Sequence, residues 1–368
     1  MWFLVRPDAV KIWKVEEVCD RLRWYHAVME NKMPAKYRIV KRISATTDPK
    51  TLTLKELWKE HNELEKDFIE LWSKVRNNEV NIENKKIPRH SFLDVKIEIV
   101  KRLLKSCIFC ERRCRVDRTK GIKGVCGLTS ESRVSSAFLH LGEEAPLVPS
   151  GTIFFTGCSF KCVFCQNWEI SQFPRNGEVV TPKELALIAT NLRKRGARNI
   201  NYVGGNPDQH LHVVVESLKF MDINVPLLWN SNFYMTQEAM KILVHLIDIW
   251  LPDFKYGNNK CALRFSAAPN YLEIVTRNLK IACQWGDIII RHLVLPGHIE
   301  CCTQPVLEWI SRNCPHALVN IMGQYRPEYL VARYPEKWPE IARRPSINEM
   351  REAFRIAEEL GIAYKHVS

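Results

Sequence analysis

Residues 152–168 read Thr-Ile-Phe-Phe-Thr-Gly-Cys-Ser-Phe-Lys-Cys-Val-Phe-Cys-Gln-Asn-Trp. The first five are apolar or β-branched and predict a short buried strand. A glycine breaks the run, and Cys158, Cys162 and Cys165 follow at C-x3-C-x2-C spacing within eight residues. A structural zinc site usually closes its tetrahedron with four protein ligands. Most iron–sulfur centres also take four cysteines. Three thiolates in one loop, with no obvious fourth nearby, suit a 4Fe–4S cluster with one iron open to a small molecule. The alternative is a zinc site completed by a distant His or Cys.

Downstream of this loop the chain alternates strand and helix signals. Thr181 reads as an N-cap with Pro182 in the first helical position, and that helix ends at Gly196. Strands are expected at 199–203, 225–230, 248–256, 287–296 and 317–325, with helices near 211–220, 238–246 and 348–361. Repeated βα units imply a parallel sheet. About six units predict an α/β fold: a partial (β/α)6 barrel with its site at the carboxyl ends of the strands.

Three regions are expected: a helical N-terminal extension over 1–100, a Cys-rich metal-binding segment over 101–145, and the barrel over 146–368. In the first, Leu54, Leu57, Trp58, Leu64, Phe68, Leu71, Trp72 and Val75 recur at helical spacing, and 77–90 reads as a polar linker. In the second, Cys107, Cys110, Cys114 and Cys126 lie within twenty residues. Four thiols can close a site, so zinc or an auxiliary 4Fe–4S cluster is expected there. Cys19, Cys261, Cys283 and Cys314 are scattered and read as buried thiols. Cys301 and Cys302 follow a strand end and are candidates for hydrogen-atom donation or metal ligation.

The cysteine loop, placed after the first strand of a βα series, resembles the defining motif of radical S-adenosylmethionine (SAM) enzymes. The resemblance implies that SAM chelates the open iron. Reductive cleavage would then give a 5′-deoxyadenosyl radical that abstracts hydrogen from a substrate. It places Phe164 against the adenine and Gly204-Gly205-Asn206-Pro207 at the SAM amino group, with Asn206 standing where the family usually has Glu. Asn230, His292, Met322 and Gln324 become candidate SAM contacts at later strand ends. Asp253-Phe254-Lys255 resembles the Asp-x-Lys motif of glycyl-radical activating enzymes. With CQNWEISQ, RHLVLPGH and NIMGQYRP, the pattern is similar to the pyruvate formate-lyase activating enzyme-like group, and within it to the PflX-like iron–sulfur proteins. That implies a reductant such as ferredoxin or flavodoxin and a protein or peptide substrate.

The net charge is +13, and six cations lie between Cys107 and Cys126 against Glu111 and Asp117. RNA or another anionic substrate is therefore an alternative. A non-catalytic, metal-stabilised adaptor is a third. No apolar run approaches the ~20 residues that span a bilayer. The opening MWFLVRPDAVKIW is interrupted by charge too soon for a signal peptide, so a cytoplasmic protein is expected.

Overall fold

The computed structural model describes residues 2–368. The strands are β1 (Ser132–His140), β2 (Ser150–Phe155), β3 (Glu178–Val180), β4 (Asn199–Gly204), β5 (Leu227–Ser231), β6 (Ile249–Pro252), β7 (Asp287–Leu293) and β8 (Leu318–Met322). They form one sheet in the order β3-β1-β2-β4-β5-β6-β7-β8. Neighbours from β2 to β8 run parallel. β2 and β8 do not pair, so the six parallel strands make an open, partial (β/α)6 barrel. Every residue of β5 and β6 is buried, as expected of parallel strands covered on both faces.

Helix Pro182–Lys194 follows the cysteine loop and β3. Thr181 and Glu184 form a reciprocal capping box at its start, which satisfies two otherwise orphaned N–H groups. β6 ends at Pro252, earlier than its apolar run suggests, although the Asp253 amide still donates to Ser231 O and the Phe254 amide to Arg291 O. Asp253–Lys255 therefore lies in the loop at the carboxyl end of the strand.

Two strands have no clear sequence signal. β1 pairs antiparallel with β2, and β3 with β1, extending the sheet beyond the barrel. β1 is Ser-rich and alternates weakly between buried and exposed positions. Helix Phe92–Leu104 runs through position 100, where the sequence reading ended the N-terminal region.

The N-terminal helices close the amino end of the barrel. Helix Leu54–Arg76 buries Leu57, His61, Leu64, Phe68, Leu71 and Val75, spaced alternately four and three apart. From the preceding helices, Trp24 Nε1 donates to Asp248 (2.8 Å) and the Tyr25 amide to Asp287 (2.7 Å). Both aspartates stand where β6 and β7 begin. Asn199, at the start of β4, donates to Tyr25 Oη (2.9 Å). This leaves the carboxyl ends of the strands for chemistry.

Cys283 and Cys314 are not separate thiols. Cys283, in the last turn of helix Tyr271–Trp285, forms a disulfide with Cys314 at the end of helix Gln304–Asn313. Only the folded chain brings these positions together.

Candidate functional site

The cysteine loop leaves β2 at Gly157 and is held from both sides. The Lys161 and Val163 amides donate to the carbonyls of Ser266 and Phe265. The amides of Leu330 and Val331 donate to Val163 O. These bonds fix three sulfurs near one another, each beside a polar hydrogen. Asn232 Nδ2 lies 3.7 Å from Cys158 Sγ, Ser266 Oγ 2.9 Å from Cys162 Sγ, and Ser171 Oγ 3.2 Å from Cys165 Sγ. Burial is the main cause that pushes all three thiols up. A pocket that resists bare thiolates suits metal, whose charge replaces the proton. Hydrogen bonds to the sulfurs are the usual means of tuning an iron–sulfur cluster.

Ligand atoms of one ion crowd together. Among the described residues, three such atoms come within 4.8 Å of one another at Cys261, His298 and Cys301, and neither the cysteine loop nor the upstream four-cysteine group meets that limit. A cubane binds each cysteine to a different iron and so sets the sulfurs farther apart. The residues of the loop fit a 4Fe–4S cluster.

A cavity of about 580 Å³ runs from this loop down the barrel interior. Gln166 and Asn167, directly after Cys165, line its wall. So do Asn230, Arg291, Asn320, Met322 and Gln324 from the strand ends. Asn230 is buried, and its Nδ2 has no partner in the protein. The polar side chains Gln166, Asn167, Asn320 and Gln324 of the wall suit a bound polar ligand such as SAM. The floor holds Glu143 and Glu144, which grip Arg291; its Nε donates to Glu144 Oε1 at 2.7 Å. The arginine draws the Glu143 carboxyl down to about 2, against the opposing effect of burial. Neither glutamate stood out in the sequence.

Lys255 Nζ pairs with Asp253 Oδ2 at 2.6 Å. Both groups lie within electrostatic reach of Cys162 and Cys165. Phe164 is buried edge-to-face with Tyr325, ring centroids 5.4 Å apart. Gly204 and Gly205 are required for packing within the protein. A Cβ on the first would overlap the Phe155 backbone, and on the second the Gly157 carbonyl. Asn206 turns its side chain inward, accepting from the Asn232 amide (3.1 Å) and donating to Gln209 (3.1 Å). Backbone carbonyls are then what this turn can offer a ligand. His292 is fully buried with both ring nitrogens engaged, by Phe254 O (2.8 Å) and Thr303 Oγ1 (3.0 Å). Cys301 and Cys302 do not line the cavity; they lie in a π-helical turn, Ile299–Thr303.

The four upstream cysteines converge as well. Cys126 is within electrostatic reach of Cys107 and Cys114, and Cys110 of Cys107 and Cys126. The Val125 amide donates to Cys114 Sγ (3.4 Å). Their segment docks on the loop after β5 through Glu111 N to Tyr234 O (3.0 Å) and Thr236 Oγ1 to Ile108 O (2.7 Å). Several of its cations are engaged within the protein. Arg112 bonds the carbonyls of Ser159 and Ala267, Arg113 pairs with Glu111 and Glu238, and Arg118 is fully buried against Gln209 O.

The family model of the radical SAM superfamily matches residues 152–310. An uncharacterized protein of Methanocaldococcus jannaschii, MJ0674, is 42% identical over 348 residues, covering 93% of this chain and 98% of its own. A second uncharacterized protein of that organism, MJ0808, is 26% identical over 213 residues, 52% of this chain and 61% of the relative. Among solved structures, Streptococcus suis SuiB bound to precursor peptide SuiA aligns with a TM-score of 0.38 at 15% identity, covering 56% of this chain and 46% of that one. A domain of pyruvate-formate lyase-activating enzyme from Bacteroides vulgatus gives a TM-score of 0.36 at 14% identity, covering 45% of this chain and 97% of that one. The chain belongs to the radical SAM superfamily. It is thus an enzyme whose chemistry rests on a 4Fe–4S cluster and SAM. No helix is long and apolar enough to cross a membrane.

Proposed function

We propose that Cys158, Cys162 and Cys165 hold the cluster, that SAM occupies the adjoining cavity, and that the substrate is a protein or peptide segment, as in the glycyl-radical activating enzymes. When bound, the cluster and SAM supply the electron and the 5′-deoxyadenosyl radical that takes a hydrogen atom. The observation that carries this reading is a cavity whose wall continues directly from Cys165 and gathers Asn230, Arg291, Asn320 and Gln324 from the strand ends.

The chain's own groups then have separate tasks. Asn232, Ser266 and Ser171 direct polar hydrogens at the three sulfurs and hold them in place. Asn230 Nδ2 donates to an acceptor on the ligand. Lys255, steadied by Asp253, presents a cation to an anionic group such as the SAM carboxylate. Arg291 and the two glutamates close the cavity floor and restrict water. The upstream four cysteines would hold zinc or an auxiliary 4Fe–4S cluster. Arg112, Arg113 and Arg118 of that segment are engaged within the protein, which favours a protein substrate over RNA, while Arg115, Lys120 and Lys123 are exposed.

The substrate class is tested by 5′-deoxyadenosine release from the reduced enzyme in the presence of a cell extract. Extract should raise the release several-fold, and protease treatment of the extract should remove that effect while ribonuclease leaves it. Loss with ribonuclease, and not with protease, would reverse the assignment.

A further inference from the structure

A second constellation of soft ligands lies outside the barrel cavity. Cys261 comes from the first turn of helix Asn259–Ser266, while His298 and Cys301 come from the loop and π-helical turn after β7. A ligand atom of each lies within 4.8 Å of the other two. Single-turn π distortions are frequent at functional sites.

The surroundings are built for a ligand set. His298 is buried, and its Nδ1 lies 2.8 Å from Pro296 O. A carbonyl can only accept, so Nδ1 carries the proton and Nε2 the lone pair. This is the usual orientation of a metal-binding imidazole by its outer neighbour. Phe265 holds the ring edge-on, with centroids 5.1 Å apart. Asn258 Nδ2 donates to Cys301 O at 2.7 Å and lies 3.7 Å from Cys302 Sγ. Gly257 lets the two segments meet, since a Cβ there would fall 2.9 Å from the carbonyl oxygens of both Cys301 and Cys302.

We propose that Cys261, His298 and Cys301 bind a single soft divalent cation, zinc foremost, with the fourth corner left to water. Two thiolates and an imidazole at this mutual distance suit one ion and not a cubane. The same helix that offers Cys261 ends at Ser266, whose Oγ touches Cys162 Sγ at 2.9 Å. The metal would brace the helix that holds the cluster loop. This site does not depend on the substrate proposed above.

The test uses the iron-reconstituted full chain and cobalt(II) as a spectroscopic stand-in for zinc. Wild type should take up one equivalent with the thiolate charge-transfer bands of a tetrahedral site. Cys261→Ser/Cys301→Ser should lose those bands and bind more than about tenfold more weakly, with iron content unchanged. A measurement on wild type alone guards against a misfolded variant. Cys301 is exposed, so iodoacetamide should modify it in chelator-treated protein, and added zinc should protect it. Equal modification with and without zinc would overturn the proposal. So would a Cys261–Cys301 disulfide in protein that takes up no cobalt.

Discussion

Gly157 lies directly against Cys126: a Cβ on the glycine would come within 3.0 Å of the cysteine's carbonyl oxygen and 2.7 Å of Leu128 Cδ1. The residue that opens the cluster loop thus packs on the last cysteine of the upstream group. The two cysteine sets are neighbours in space although 32 positions separate Cys126 from Cys158 in the chain. Arg118 ties them further, donating to Gln209 O after the Gly-Gly turn and lying 3.8 Å from Cys107 Sγ.

Gly157→Ala should disturb both groups together. Gly157 has φ of +73°, where an added Cβ costs about 1–3 kcal/mol even before the clash. Iron analysis after reconstitution should show lower loading at both sites, and the thermal midpoint should fall. A variant with full iron content and an unchanged midpoint would show that the close approach is not needed.

Ser266→Ala removes the hydroxyl 2.9 Å from Cys162 Sγ. A hydrogen bond to a cluster sulfur favours the more negative, reduced state. Its loss should lower the cluster's reduction potential, read by redox titration followed by electron paramagnetic resonance. Tyr256 Oη, 2.6 Å from the same hydroxyl, also loses a partner, so about 0.5–1.5 kcal/mol of stability should go as well. A potential at or above wild type would contradict the assignment of this serine.

Lys255→Met leaves Asp253 without its 2.6 Å partner and removes a cation close to Cys162 and Cys165. The rate of 5′-deoxyadenosine formation per SAM concentration should drop at least about tenfold, or roughly 1.4 kcal/mol of lost stabilisation. The effect should appear mainly in the SAM concentration dependence, with cluster content intact.

Acid should weaken the cavity floor through Glu143. Its carboxyl is held at about 2 in the folded protein against an ordinary 4.5, chiefly by Arg291. A depressed folded value means the contribution is complete above 4.5 and is lost as the pH falls toward 2. Denaturant midpoints across that range should fall more steeply for wild type than for Glu143→Gln. Parallel slopes would contradict the pairing.

Reducing the Cys283–Cys314 disulfide, or replacing Cys283 with Ser, releases a 31-residue loop. By the loop-closure relation this should cost between about 3 and 4 kcal/mol. Thermal melts with and without reductant check it, and no difference between them would show that the bond is absent in solution.

The parts of the fold legible in the sequence are those dictated by local chemistry. The Thr181 cap, the six apolar strands and the stripe from Leu57 to Val75 each follow from local pattern along the chain. β1 was not legible, because a Ser-rich edge strand carries little hydrophobic alternation. Among the candidate site residues, Asn230, Met322 and Gln324 line the cavity as strand-end positions suggest. His292 sits at a strand end too, yet its ring is fully occupied by Phe254 and Thr303. Glu143, Glu144, Ser171 and Ser266 lacked any local signal, since their roles come from partners far along the chain. The grouping of Cys261 with His298 and Cys301 was hidden in the same way.

On the proposed assignment, the cysteine loop binds the cluster that cleaves SAM. The direct measurement is anaerobic reconstitution with iron and sulfide, followed by reduction with dithionite and addition of SAM, comparing wild type with Cys158→Ala. Wild type should release 5′-deoxyadenosine and the variant none above background. Equal release from both, or none from a wild type with full iron content, would contradict the account.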